Sequence, residues 1–124
     1  MNKLFKFEKS VNSILYVLKQ MGGRCDMHKL CKILYFADRE HLSEFGRRIT
    51  GDTYIAMQYG PVPSCIDDIL KALRGDSFFS SSAEIKEIKD SMTFENRFII
   101  RGLKNPDLDE LSGSDILCLD KSIN

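Results

Sequence analysis

Cys25, His28 and Cys31 follow one another at intervals of three, and on a helix residues three apart share a face. Thiolate and imidazole are ligands that zinc takes. Asp26, however, is a natural helix N-cap, so Cys25 precedes the helix that would carry the other two. No second ligand pair lies nearby in sequence. Cys31 also falls on the apolar stripe of Met27, Leu30 and Leu34, where a free cysteine behaves as a small hydrophobe. A second group, Asp38, Glu40, His41 and Glu44, crowds one helix end. Asp38 and His41 could share a proton or a metal. A hydrolase would also need a nucleophile or a metal-bound water. Ser64, in "GPVPS", does not sit on a nucleophile elbow, and no Gly-rich phosphate cradle is present. The sequence therefore predicts no catalytic residue, no metal site and no cofactor. The acid–histidine group reads as a hydrogen-bonded helix end, with Arg39 paired to a carboxylate.

The elements that hold these side chains come from one modest chain. Its 124 residues suffice for one domain with a hydrophobic core and are too few for two ordinary ones. At 43% hydrophobic and 29% charged residues the composition is globular. Eighteen basic and eighteen acidic residues cancel, so no overall field draws in nucleic acid or an anionic membrane. Near the N-terminus Glu8, Lys9 and Asn12 break the apolar run that a signal peptide needs. No later segment approaches the length of a membrane span. A cytoplasmic protein is expected, with Cys25, Cys31, Cys65 and Cys118 as free thiols.

Helical spacing of Phe7, Val11, Ile14, Leu15, Leu18 and Met21 predicts a first helix, stopped by Gly22-Gly23. Asp26 caps a second, from Met27 to about Phe45. There "KILYFA" (32 to 37) spreads apolar side chains around the whole circumference, which predicts a central helix buried on several sides. "TYIAMQY" (53 to 59) predicts a strand, and "SCIDDILKALRG" (64 to 75) a third helix closed by Gly75. Residues 77 to 84 read as a polar loop with an aromatic pair, and "IKEIKD" is open between helix and strand. "SMTF" and "RFIIRG" predict a hairpin around Glu95-Asn96. Ser112 with Asp115 has the pattern of a capping box opening a last helix.

Between strand and third helix stands "YGPVP". Pro61 pushes Gly60 out of helical geometry and ends the strand, while Pro63 suits a first helical turn. Asp67 and Asp68 favour the positive end of the helix dipole. The stretch predicts a stiff strand-to-helix corner that fixes where Tyr59 points.

Two stretches together resemble a known family. "HKLCKILYFADREHL" (28 to 42) is similar to the central helix of the Panacea, or SocA-like antitoxin, domain. "TGDTYIAMQYGPVPSCIDDIL" (50 to 70) resembles the strand, Tyr-Gly-Pro-Val corner and helix that follow it there. "NPDLDELSGSDILCLDKSI" (105 to 123) looks like the family's late capped helix. The resemblance runs from about residue 10 onward. Relatives continue past that last helix, so it implies that residues 1–124 form one such domain, incomplete at the C-terminus. It further implies an antitoxin-type, non-enzymatic module of bacteria or phages. Such a module neutralises a cognate toxin encoded nearby by protein–protein contact, or delivers it as an adaptor to a cellular protease.

The expected fold is α+β: a helical cluster around a central buried helix, with a small antiparallel sheet or hairpin at one side. Candidates for partner contact are Tyr35, Arg39, His41, Tyr59, Gly60, Pro61 and Val62, since tyrosine and arginine anchor interfaces. Tyr35 and Tyr54 can equally be core residues with satisfied hydroxyls. No membrane partner is expected, and a homo-oligomer stays open. The alternative is a winged-helix-like DNA-binding regulator of a phage or toxin–antitoxin operon. Arg24, Lys29, Lys32, Arg47, Arg48, Lys71 and Arg74 supply scattered positive charge for it. Its reading helix, however, would enter with Asp67 and Asp68, which the DNA backbone repels.

Overall fold

A computed structural model describes residues 3–76 and 82–124. In chain order the elements are α1 (Phe7–Gln20), β1 (Arg24–Asp26), α2 (Met27–Phe45), β2 (Tyr54–Met57), β3 (Gly60–Pro63) and α3 (Ser64–Arg74). There follow α4 (Ser82–Ser91), β4 (Met92–Phe94), β5 (Ile99–Gly102), a short 3-10 turn (Leu108–Glu110) and α5 (Gly113–Ile123). The α+β class is as the sequence predicts. Of the polar loop expected at 77 to 84, residues 77–81 lie outside the described residues, and α4 takes up its end. "IKEIKD" is helical.

One core cluster joins the layers. The stripe of α1 buries Val11, Ile14, Leu15 and Leu18. Leu30, Ile33, Leu34 and Ala37 of α2 and Cys118 and Leu119 of α5 bury with it, as α2 packs along α5. On its other flank α2 meets β3 and β1. The helix is central but not covered all round: Lys32 is exposed and Phe36 keeps 47% of its surface in solvent. Burial on several sides is what the apolar run predicts, and the remaining strip of the circumference borders an open groove.

A three-stranded antiparallel sheet runs in the order β1-β5-β4, with Cys25 and Phe94 both opposite Ile100. The β4–β5 hairpin is turned by Asn96, whose side-chain oxygen accepts from the amides of Phe98 (2.8 Å) and Ile99 (3.0 Å). Strand β1 is too short to announce itself by alternation. Asp26 both ends that strand, opposite Ile99, and caps α2 by accepting from His28 N–H (2.8 Å) and Lys29 N–H (3.2 Å). The capping box of α5 forms as expected, Ser112 and Asp115 each accepting the other's amide.

The proline stretch corrects the expected corner. "GPVP" is itself a strand, pairing antiparallel with β2 in the register Met57↔Gly60, Ala56↔Pro61, Ile55↔Val62, Tyr54↔Pro63. The reason is parity. Ser64 N–H donates to the Thr53 carbonyl (2.8 Å), so residues 60, 62 and 64 face their amides to β2. Pro61 and Pro63 occupy the alternate positions, where the missing N–H would point away. Gln58 and Tyr59 make a two-residue turn, and Gly60 takes the positive φ, 117°.

Candidate functional site

Two buried aspartates fix the base of the β2–β3 hairpin. Asp38, on α2, accepts from the amides of Ile49 (2.8 Å) and Thr50 (3.1 Å) through Oδ1. Its Oδ2 accepts from the hydroxyls of Thr50 (2.6 Å) and Tyr54 (2.7 Å). Burial pushes the Asp38 carboxyl up from its ordinary range, against the pull of these donors, which favour the anion. Helix α3 begins after Pro63, which has no side-chain acceptor to cap it. Asp52 supplies the cap from outside the helix: Oδ1 accepts from Cys65 N–H and Oδ2 from Ile66 N–H, both at 2.9 Å. The ring of Tyr54 meets that of Tyr35 edge-on, with centroids 5.2 Å apart.

So held, the hairpin forms one wall of a groove of about 430 Å³. The opposite wall is a strip of α2 with His28 and Lys32 exposed, Tyr35 half-buried and Cys31 buried beneath them. Asp67, Lys71 and Arg74 of α3 line one side, and Phe98, from the β4–β5 loop, closes an end. His28 stacks on Phe98 (centroids 6.2 Å, 30° between planes) and meets Tyr59 edge-on (6.3 Å). Phe98 is fixed through its backbone, whose carbonyl accepts from Met27 N–H at 2.7 Å. Arg74 braces the same loop. Its guanidinium lies 5.5 Å over the Phe94 ring and donates to the Arg97 carbonyl at 2.9 Å. Three basic side chains, Lys32, Lys71 and Arg74, face one carboxylate, Asp67, around the groove. Lys71 is paired with Asp67 (2.9 Å) and Arg74 with Asp76 (2.7 Å). Lys32 has no carboxylate partner among the described residues.

Of the residues singled out from sequence, Tyr35, Tyr59, Gly60, Pro61 and Val62 come together here. Tyr59, at the turn, is 78% exposed. Arg39 does not join them: it stands on the α5 side of α2, in a shallow hollow with Phe36, Glu40 and Lys121. The expected Arg39–carboxylate pair is absent among the described residues, and Lys121 holds Glu40 instead, at 3.2 Å. His41 must be withdrawn as a surface contact because its side chain is wholly buried. Its Nδ1 donates to the Arg47 carbonyl at 2.7 Å, since a carbonyl can only accept. Its Nε2 faces Ser114 Oγ (2.9 Å) and Asp115 Oδ1 (3.2 Å). His41 therefore ties α2 to α5 and does not act with Asp38. Asp115 Oδ2 takes the Lys9 ammonium at 2.7 Å. Burial pushes the Asp115 carboxyl up, but Lys9 and Ser112 outweigh it and hold the carboxyl below its usual range. Oδ1 lies 3.2 Å from both a His41 and an Arg47 nitrogen but accepts no hydrogen bond among the described residues.

His28, Met57 and Phe98 are groove residues that the sequence reading passed over or assigned elsewhere. An aromatic in a hairpin turn, at Phe98, was the available signal. Cys31 lies on the groove floor, and burial pushes its thiol up to about 12, a protonated and inert state at neutral pH. Among the described residues no three His, Cys, Asp or Glu groups stand close enough to share a metal ion. No helix among them is long and apolar enough to cross a membrane.

Residues 30–124 match the sequence profile of the family described as antitoxin SocA-like, Panacea domain. Neither a curated protein nor a solved structure matches the chain. The matched span holds most of α2, the anchored hairpin, α3, Phe98 and the capped α5, while Met27 and His28 of the groove precede it. The chain thus belongs to the SocA-like antitoxin family, as a Panacea domain, and an antitoxin-type role with a toxin as partner comes with that membership.

Proposed function

We propose that this domain neutralises a toxin protein encoded beside it by seating part of that toxin in the groove between α2 and the β2–β3 hairpin, without catalysis. One observation carries the reading. Tyr59, the most exposed large apolar residue of the described chain, stands on a hairpin whose base is locked by two buried aspartates. An exposed aromatic on a rigid frame loses little conformational freedom on binding, and that is the property of an interface anchor. His28 and Phe98 extend the same aromatic rim.

The test is co-expression with the product of the adjacent gene. Rescue of growth and co-purification of the two proteins are expected. The double substitution Tyr59→Ala/Phe98→Ala should weaken the purified complex by about tenfold to a hundredfold, as loss of two anchors does. Absence of both rescue and co-purification overturns the reading. The same surface serves occlusion of the toxin or its delivery to a protease. The toxin's half-life in cells, unchanged or shortened by the domain, separates the two.

A further inference from the structure

The two edges of the β2–β3 hairpin are unlike. Along β3 the outward positions are Pro61 and Pro63, which have no N–H to offer, so that edge cannot accept another strand. Along β2 the outward positions are Tyr54 and Ala56, both with amide and carbonyl. No described element pairs with that side of β2. Nor is it blunted in the usual ways: from Thr53 to Tyr59 there is neither a charge nor a proline. Ile55 and Met57, two residues apart and so on one face, are 50% and 57% exposed. The opposite face carries Tyr54, whose ring and hydroxyl are turned to α2.

We infer that β2 receives an extended segment of the toxin as an added strand, a mode of capture that rests on the toxin-binding role proposed above. The segment's backbone exchanges hydrogen bonds with Tyr54 and Ala56. Apolar side chains at every second position cover Ile55 and Met57. Beyond Met57 and Gln58, which also line the groove, the segment runs on toward Lys32, the groove cation without a carboxylate partner among the described residues, where an acidic residue completes the match. A second copy of this chain is the other conceivable occupant. A ladder four residues long extends only about 13 Å. That is too little for the roughly 1,200–2,000 Å² of stable interfaces, whereas a partner that continues into the groove adds to it.

Ala56→Pro isolates the idea. It removes only the outward donor, leaves the bonds to β3 untouched and copies what Pro61 and Pro63 do across the hairpin. Using the adjacent gene's product as the probe, we expect wild-type binding to fall at least tenfold in Ala56→Pro, with its circular dichroism spectrum retained. The Tyr54 and Ala56 amides of the wild-type chain should become protected from hydrogen exchange in the complex, a readout that does not depend on the variant folding. Lys32→Glu should weaken binding and reduce its salt dependence. If the probe binds wild type but Ala56→Pro binds equally and those amides stay unprotected, the added strand is wrong and the toxin reading stands. If wild type itself does not bind the probe, both fall together. Should wild type dimerise at micromolar concentration and Ala56→Pro not, the occupant is a second copy and the inference is overturned.

Discussion

Replacing Asp52 with alanine should damage the molecule far more than its short side chain suggests. Two α3 amides, Cys65 and Ile66, each lose an acceptor at 2.9 Å. Loss of a helix cap costs about 1 kcal/mol. The Ile66 amide lies in a buried setting that water does not readily reach, and a bare buried donor costs about 1–3 kcal/mol more. The sum is about 3 kcal/mol. For 124 residues at about 2.1 cal/mol/K each, the unfolding entropy is roughly 260 cal/mol/K, so Tm should fall by roughly 10 °C. Asp52→Asn keeps one acceptor oxygen and should fall by about half as much. Thermal melts at 222 nm read the stability. Calorimetric titration of the adjacent gene's product, well below either Tm, reads whether the groove survives. A melt within about 2 °C of wild type for Asp52→Ala would refute the reasoning, because α3 would then be capped by something other than this carboxylate.

Gly60→Ala should cost about 1–3 kcal/mol in urea unfolding, purely from the backbone, since φ is 117° and an added Cβ meets nothing within 4 Å. Gly113→Ala, equally uncrowded but without a positive φ, should be neutral or slightly stabilising. Tyr54→Phe should lose about 1–2 kcal/mol with its 2.7 Å bond to Asp38, measured the same way. The two buried carboxyls should respond oppositely to acid. Asp115 is held below its ordinary range, so its contribution is complete above the unfolded value, near 3.9, and disappears as pH falls through the folded one. Asp38 is raised, so its contribution is complete below the unfolded value and is lost as pH rises through the folded one. Denaturation curves between pH 7 and 3 should therefore show Asp115→Asn losing less stability on acidification than wild type, and Asp38→Asn losing more.

Local rules written in a few residues carried much of the fold. Gly22-Gly23 after α1, Asp26 before α2, Gly75 after α3 and the Ser112–Asp115 box all act within a turn of where they stand, so sequence spacing exposes them. The α3 cap was hidden because its acceptor, Asp52, precedes Ile66 by fourteen positions, across a whole hairpin. The same holds for His41. Its helical spacing from Asp38 suggested joint chemistry, but its partners, Arg47 and Ser114, come from the loop after α2 and from α5. The strand before Gly60 does end as Pro61 predicts, but the second strand that Gly60–Pro63 forms went unseen, because only the pairing register says which way the proline nitrogens face. Tyr59, Gly60, Pro61 and Val62 could be grouped from sequence because they are consecutive, and they line the groove together. His28 and Phe98, seventy positions apart, meet only once β1 pairs with β5.

The hairpin divides its labour along its length. Hydrogen bonds to Asp38 and Asp52 gather at the base, while the turn residues Gln58 and Tyr59 are exposed and contribute none of them. Altering the tip therefore leaves the scaffold's melting point nearly untouched. Under the toxin-seating role proposed above, a lineage can retune which prey it seizes, one turn residue at a time, without risking collapse of the frame beneath.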